Sequence, residues 1–420
     1  MKVEPYTIDV SAARRRFPAL SRSVDGAPAV FADAPGGTQV PRTVVEAMAR
    51  YLTESNANSG GAFVTSEETD ETIAAARRAA ADLLGCSDRD VAFGANMTSL
   101  AFSLSRSVAR TLRPGDEVVV TALDHDANVM PWIEAARDAG IGVRWVDFDP
   151  ATGTLDLDSL ERALGPRTRL VAFTLASNAL GTVTPATEII QRIRATDALV
   201  VCDSVHVAPH RAMDVSRLGA DVVMCSAYKF FGPHVGVMYL RRELADRLHA
   251  YKVRPAVDDH PDRWENGTKN HEGLAGFVAA VDYIASLAGE PLAEGADRRR
   301  ERVVAGMDAV GRFEAELSAR FIAGLGRIGG AHLYGLGEER VEDRTPTFAL
   351  RVGDNDPRVV ASSLGRRGIF VWDGNYYALA AMERLGLEER GGAVRVGFCH
   401  YNTVEEVDRV LEELERIARG

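Results

Sequence analysis

Between residues 90 and 240 the chain repeats one pattern, and that pattern limits the folds open to it. Short runs rich in β-branched residues cover 90–94, 117–121, 143–148, 169–175, 198–202, 221–225 and 235–240. Helix-like stretches separate them. In 98–112, Leu100, Leu104, Val108 and Leu112 recur every fourth residue and mark one apolar face. Strands alternating with amphipathic helices imply a mostly parallel sheet covered on both faces. The chain therefore reads as α/β, with a mostly parallel seven-stranded sheet between helices. From about residue 276 the pattern changes to a long helical stretch (298–321), strand-like pieces (346–352 and 393–398) and an amphipathic helix (404–418). This predicts a large domain over 30–275 and a smaller α+β domain made of 1–29 and 276–420.

Composition excludes several classes. A net charge of −11 argues against nucleic acid, whose phosphates must be met by Lys and Arg. No window approaches the apolar length of a membrane span, and residues 1–17 lack the apolar core of a secretory signal. The expected compartment is the cytoplasm. Cys86, Cys202, Cys225 and Cys399 form no CxxC pair, so neither a zinc site nor a disulfide framework is expected.

In open α/β sheets the ligand lies beyond the carboxyl ends of the strands, so the chemistry belongs to the residues that follow each run. After the first come Gly94-Ala95-Asn96-Met97-Thr98-Ser99 and a helix. Such a turn offers backbone N–H groups to a phosphate, although taken alone an N-cap by Thr98 or Ser99 is the simpler reading. After the second comes Asp124-His125-Asp126-Ala127-Asn128, where His125 is either structural or a flat ring to stack on a cofactor. The fourth leads to Ser177-Asn178-Ala179-Leu180-Gly181-Thr182 and the fifth to Asp203-Ser204-Val205-His206. An Asp directly after a fully apolar run needs a partner: a helix N-terminus, a metal or a cationic ring nitrogen. The sixth leads to Ser226-Ala227-Tyr228-Lys229-Phe230-Phe231-Gly232-Pro233. Desolvation between apolar and aromatic neighbours lowers an ammonium pKa and makes Lys229 able to hold a carbonyl as an imine. Each residue has a bland reading. A phosphate cradle, a stacking His, an Asn, an acidic partner and an imine-forming Lys on successive strand ends together describe the needs of pyridoxal 5'-phosphate (PLP).

These motifs resemble the class V aminotransferase family of fold-type I PLP-dependent enzymes, on the branch of cysteine desulfurases and isopenicillin N epimerase-like proteins. The resemblance runs from Phe17-Pro18-Ala19-Leu20 to Tyr401-Asn402-Thr403-Val404, and Asp-His-x-x-Asn, Ser-Asn-x-x-Gly-Thr and Ser-x-x-Lys-x-x-Gly-Pro carry it. It implies that Lys229 holds PLP as a Schiff base, Asp203 pairs with the ring nitrogen and His125 stacks on the ring. It further implies that Asn178 lies near the phenolic oxygen, that Thr98, Ser226 and Tyr228 hold the phosphate with backbone amides near Met97, and that Asn96 and His206, the latter where many relatives have Gln, also border the cofactor. Arg395 matches a substrate-carboxylate arginine, and Asn266-Gly267-Thr268 matches a loop reaching the neighbouring subunit's phosphate. A homodimer with shared active sites is thus implied, and no metal.

The chain departs from the cysteine desulfurases on the substrate side. Their mobile-loop cysteine corresponds to Tyr377, and Trp372 stands where the family has an arginine. A phenol cannot accept sulfane sulfur. The expectation is an enzyme acting on an α-amino acid through an external aldimine and a Cα carbanion: a C–S β-eliminating lyase without persulfide chemistry. Epimerisation with Tyr376 or Tyr377 as an acid, transamination, decarboxylation and a non-catalytic scaffold are the alternatives. Two other signals are set aside. Gly324-Leu325-Gly326-Arg327-Ile328-Gly329 matches GxGxxG but follows a helix, so it reads as a helix end, and the acidic run 338–343 reads as a solvated loop.

Overall fold

The seven runs become the seven strands of one sheet: β1 (Val91–Gly94), β2 (Glu117–Thr121), β3 (Gly142–Val146), β4 (Thr168–Thr174), β5 (Leu199–Asp203), β6 (Val222–Ser226) and β7 (Gly236–Leu240). Their order is β1-β7-β6-β5-β4-β2-β3. All neighbours are parallel except β7, which is antiparallel to both β6 and β1. The connection 227–235 is too short for a crossover, so β7 has to run backwards. This computed structural model describes residues 7–289 and 298–420; positions 1–6 and 290–297 of the expected small domain lie outside the described residues.

Side chains alternate across the sheet as the pleat requires. Val119, Val171, Val200 and Val223 join one core with Ala76, Ala79 and Leu83 of α1 (Val64–Leu84). Val118, Val120, Leu170, Val201 and Met224 join the opposite core with Leu100, Leu104 and Val108 of α2 (Met97–Ala109) and Trp132 of α3 (Met130–Ala139). Both faces are covered, which is why the runs are apolar throughout.

Two further helices, α4 (His271–Ser286) and α5 (Arg299–Leu325), lead to a four-stranded antiparallel sheet. Its strands are β8 (Ala331–Tyr334), β9 (Thr347–Val352), β10 (Trp372–Gly374) and β11 (Ala393–Gly397), in the order β8-β9-β11-β10. α6 (Val404–Arg419) starts with a capping box of Thr403 and Glu406, and buries Val407, Val410 and Leu414 against Phe348, Leu350, Val394 and Val396. The short strands β8 and β10, and the long helix α1, were not among the elements read from the sequence.

The expected cut at 275/276 falls inside α4. Gly276 there is a packing residue rather than a break: a Cβ would sit 2.7 Å from Met48 Cγ. Residues 30–33 also belong with the second sheet, since Val30–Phe31 pairs with Ile369–Phe370 and Asp33 bridges Gly397. The GxGxxG stretch ends α5, with Gly326 in a right-handed helical conformation. The acidic run forms a 3-10 turn, Glu338–Asp343, with no buried residue. Among the described residues no helix is long and apolar enough to cross a membrane.

Candidate active site

The strand ends open on an inner cavity of about 650 Å³ and an adjoining outer cavity of about 890 Å³, with Thr98, His125, Asn178, Tyr228 and Lys229 lining both. Lys229 closes the turn that follows β6. Its Nζ donates to the Pro35 carbonyl and lies 5.1 Å from the Tyr228 ring centre. Burial, with Arg395 nearby, pushes the amine down to about 7, although Asp203 pulls the other way. Asp203 ends β5 and is 4% exposed. Burial raises its carboxyl to about 6, against the Val205 N–H, which donates to Oδ1 at 2.8 Å, and against the charge of Lys229.

His125 is held by the turn after β2. The Ala127 N–H donates to Nδ1 at 3.0 Å, which leaves the ring proton on Nε2. Burial, Lys229 and Arg395 push the imidazole down to about 4, so it is a flat neutral ring at pH 7. It stacks on Tyr377 at 5.6 Å and 23°. Asp124 fixes this turn: its buried carboxyl group, pushed up to about 8 by burial, accepts from Thr121, from Asn128 Nδ2 (2.7 Å) and from the Thr174 amide on β4 (3.1 Å).

At the start of α2 the cap is neither Thr98 nor Ser99 but Asn96, whose extended backbone lets its side chain accept from the Ser99 N–H. The Met97 N–H donates to Ser226 Oγ at 2.9 Å, so it is already engaged within the chain. Thr98 is exposed to both cavities. The Tyr228 ring stacks on His234 at 5.0 Å and 16°.

The second sheet supplies the opposite wall. Arg395, on β11, is buried with its guanidinium 4.4 Å from the Tyr376 ring centre, and its Nη1 donates to the Asn178 carbonyl at 2.8 Å. Burial pushes it down to about 10. Asn178 Nδ2 donates to the Tyr376 carbonyl at 3.0 Å, while Asn178 Oδ1 is buried without a partner. Tyr376 and Tyr377 are consecutive non-glycine residues at φ 56° and 59°, a backbone conformation that costs energy and collects at functional sites. His206 is buried and neutral, pushed well below its usual range by burial. Its Nε2 lies 3.1 Å from Thr345 Oγ1, which itself donates to the Gly181 carbonyl, so the Nε2 carries the proton. Trp372, on β10, borders the outer cavity and lies over Gly36, where a Cβ would come within 2.0 Å of its Nε1.

All the expected site residues except Thr268 therefore border one of the two cavities. Thr268 is exposed on its loop and borders neither. Sequence reasoning missed Phe102, Asp126, His234 and Glu388 as lining residues. Asp126 lies inside a quoted motif and His234 directly follows one, so both were within reach; Glu388 sits far along the chain with no local signal. No cysteine lines either cavity. Burial raises all four thiols, Cys86 and Cys225 to about 12 and Cys202 and Cys399 well above their usual range. Among the described residues no group of three His, Cys, Asp or Glu could hold a metal ion.

The donor set fits PLP. It offers an amine poised near 7, a buried carboxylate for a ring nitrogen, an uncharged ring to stack, an unpartnered Asn178 oxygen and a helix N-terminus for a phosphate. Fold and donor set together define a fold-type I PLP subunit. The family model for aminotransferase class-V matches residues 30–410, and the chain belongs to that family of PLP-dependent enzymes. A cysteine desulfurase of Synechococcus elongatus is 31% identical over 98% of the chain, which spans 64% of that relative's length. A cysteine desulfurase of Pectobacterium atrosepticum is 29% identical, with 98% of each chain covered. The solved apo structure of a cysteine desulfurase from Thermococcus onnurineus NA1 matches the whole chain with a TM-score of 0.87 at 26% identity.

Proposed function

We propose that the protein is a PLP-dependent lyase that eliminates a thiol or similar group from Cβ of an α-amino acid, without a persulfide on its own chain. The observation that carries this reading is the wall opposite Lys229. Relatives are named cysteine desulfurases, yet here Tyr376 and Tyr377 face the cavity and every thiol lies elsewhere, held protonated by burial. A protonated, remote thiol is a poor acceptor of sulfur.

PLP, when bound, supplies a sink for the electron pair released at Cα. Arg395 grips the substrate carboxylate with its planar fork and fixes Cα near Lys229. The Lys229 amine, already close to neutral at pH 7, takes the Cα proton and later returns it. Asp203 holds a buried negative charge for the ring nitrogen, and His125 covers the ring and excludes water. Ser226, Thr98 and the N-terminal turn of α2 would hold the phosphate, with Tyr228 beside them, and His206 would border the cofactor elsewhere in the inner cavity. In sum, one amino acid and one water give a thiol, ammonia and a 2-keto acid. The exposed segment Asn266-Gly267-Thr268 belongs, in this reading, to the site of a second copy in a homodimer.

Product analysis tests the reading. Purified holoenzyme given L-cysteine or an S-substituted L-cysteine should release thiol, ammonia and keto acid in equal amounts. Exchange of the Cα proton with solvent and no net loss would mean epimerisation instead. Sulfane sulfur trapped on a cysteine of this chain by mass spectrometry would overturn the proposal.

A further inference from the structure

The outer cavity is larger than the reacting end of an amino acid requires, and its walls are of two kinds. One is aromatic: Phe102, Trp372, Tyr376 and Tyr377. Trp372 and Tyr377 are 49% and 74% exposed, so wide flat surfaces stand uncovered at the mouth. Gly36 lets the indole lie down on the loop that also receives Lys229, and the strained pair Tyr376–Tyr377 is pinned on both sides. Tyr376 Oη donates to the Ala393 carbonyl, and the Asp126 N–H donates to the Tyr377 carbonyl at 2.7 Å.

The other kind is acidic: Asp126, Asp373 and Glu388. Asp373 is neutralised by Arg358 at 3.0 Å. Glu388 accepts only from Asn375 Nδ2, at 3.1 and 3.3 Å, and neither it nor Asp126 is in an ion pair among the described residues. The cavity's cations are Lys229, which also borders the inner cavity, and Arg395, which donates to the carbonyl of Asn178, a residue bordering both cavities. Once those two are engaged by cofactor and carboxylate, the far end presents rings and uncompensated negative charge.

We infer that the substrate is an α-amino acid carrying a flat aromatic group, without negative charge, at the far end of its side chain, and that Trp372, Asp126 and Glu388 select it. This rests on the amino-acid lyase reading above. Ring faces attract ring edges and cations, and a second carboxylate in the same cavity would meet like charge. A free cysteine would leave these walls unused.

The test uses the holoenzyme and the absorption of its bound cofactor, titrated with S-methyl-, S-benzyl- and S-(4-carboxybenzyl)-L-cysteine. The benzyl compound should bind about tenfold tighter than the methyl one, and the carboxybenzyl compound about tenfold weaker than the benzyl one. Trp372→Ala should cut the benzyl-to-methyl affinity ratio from about tenfold to about twofold, with Trp372→Phe restoring part. Asp126→Asn with Glu388→Gln should close most of the carboxylate gap. Equal affinities for benzyl and methyl, or for benzyl and carboxybenzyl, would overturn the inference and leave the lyase reading intact. A cofactor spectrum that responds to none of the three would overturn both.

Discussion

Lys229 and Asp203 illustrate how one environment prepares two opposite charges. Burial disfavours the charged form of each, so the amine falls to about 7 and the carboxyl rises to about 6, while each moderates the other. For Asp203 the consequence for stability has a definite sign. Between its unfolded value of 3.8 and about 6, the folded apoprotein holds more protons than the unfolded chain, so stability falls as pH rises through that window. Asp203→Asn should therefore make the apoprotein about 3 kcal/mol more stable at about pH 8, with the gain gone near pH 3.5. Denaturant unfolding at the two pH values checks it. The same variant should lose about 100-fold or more in turnover, because the buried charge is absent. Lys229→Ala should abolish the absorption band of lysine-bound cofactor.

At the scale of elements, the proposed phosphate cradle depends on how closely β7 approaches the start of α2. A Cβ on Gly236 would sit 2.5 Å from the Asn96 carbonyl carbon, with backbone rather than a yielding side chain in the way. Gly236→Ala should push the Asn96–Met97 turn outward, cost about 1–3 kcal/mol and weaken PLP binding about tenfold. Thermal unfolding and cofactor titration by tryptophan fluorescence measure the two effects. The helix itself was legible, since Leu100, Leu104 and Val108 do face the core. Its cap was not, because Asn96, Thr98 and Ser99 are all good capping residues and only the extended backbone at Asn96 selects one.

At the scale of the molecule, the site is shared between two sheets, and Arg344 ties them together. Its buried guanidinium donates to the carbonyls of Leu336, Leu180 (3.2 Å) and Thr347 (2.5 Å), joining the Asn178 loop to the strand beside Arg395. Arg344→Ala should strand those carbonyls, cost about 2–4 kcal/mol and raise KM more than it lowers kcat, because Asn178 and Arg395 lose their common frame. Arg344→Lys should recover part of both. Denaturation and steady-state kinetics together distinguish a positioning role from loss of fold. The sequence by itself determined the large sheet and the residues at its strand ends, because a doubly buried strand must be apolar and the polar residue that ends it must meet the ligand. Only the tertiary structure decided what stands opposite. The Tyr376–Tyr377 wall, the indole over Gly36, the remoteness of the four thiols and the place of Glu388 depend on how the second sheet packs against the first. That packing joins residues some two hundred positions apart, such as Asn178 and Arg395, and leaves no period in the chain to read.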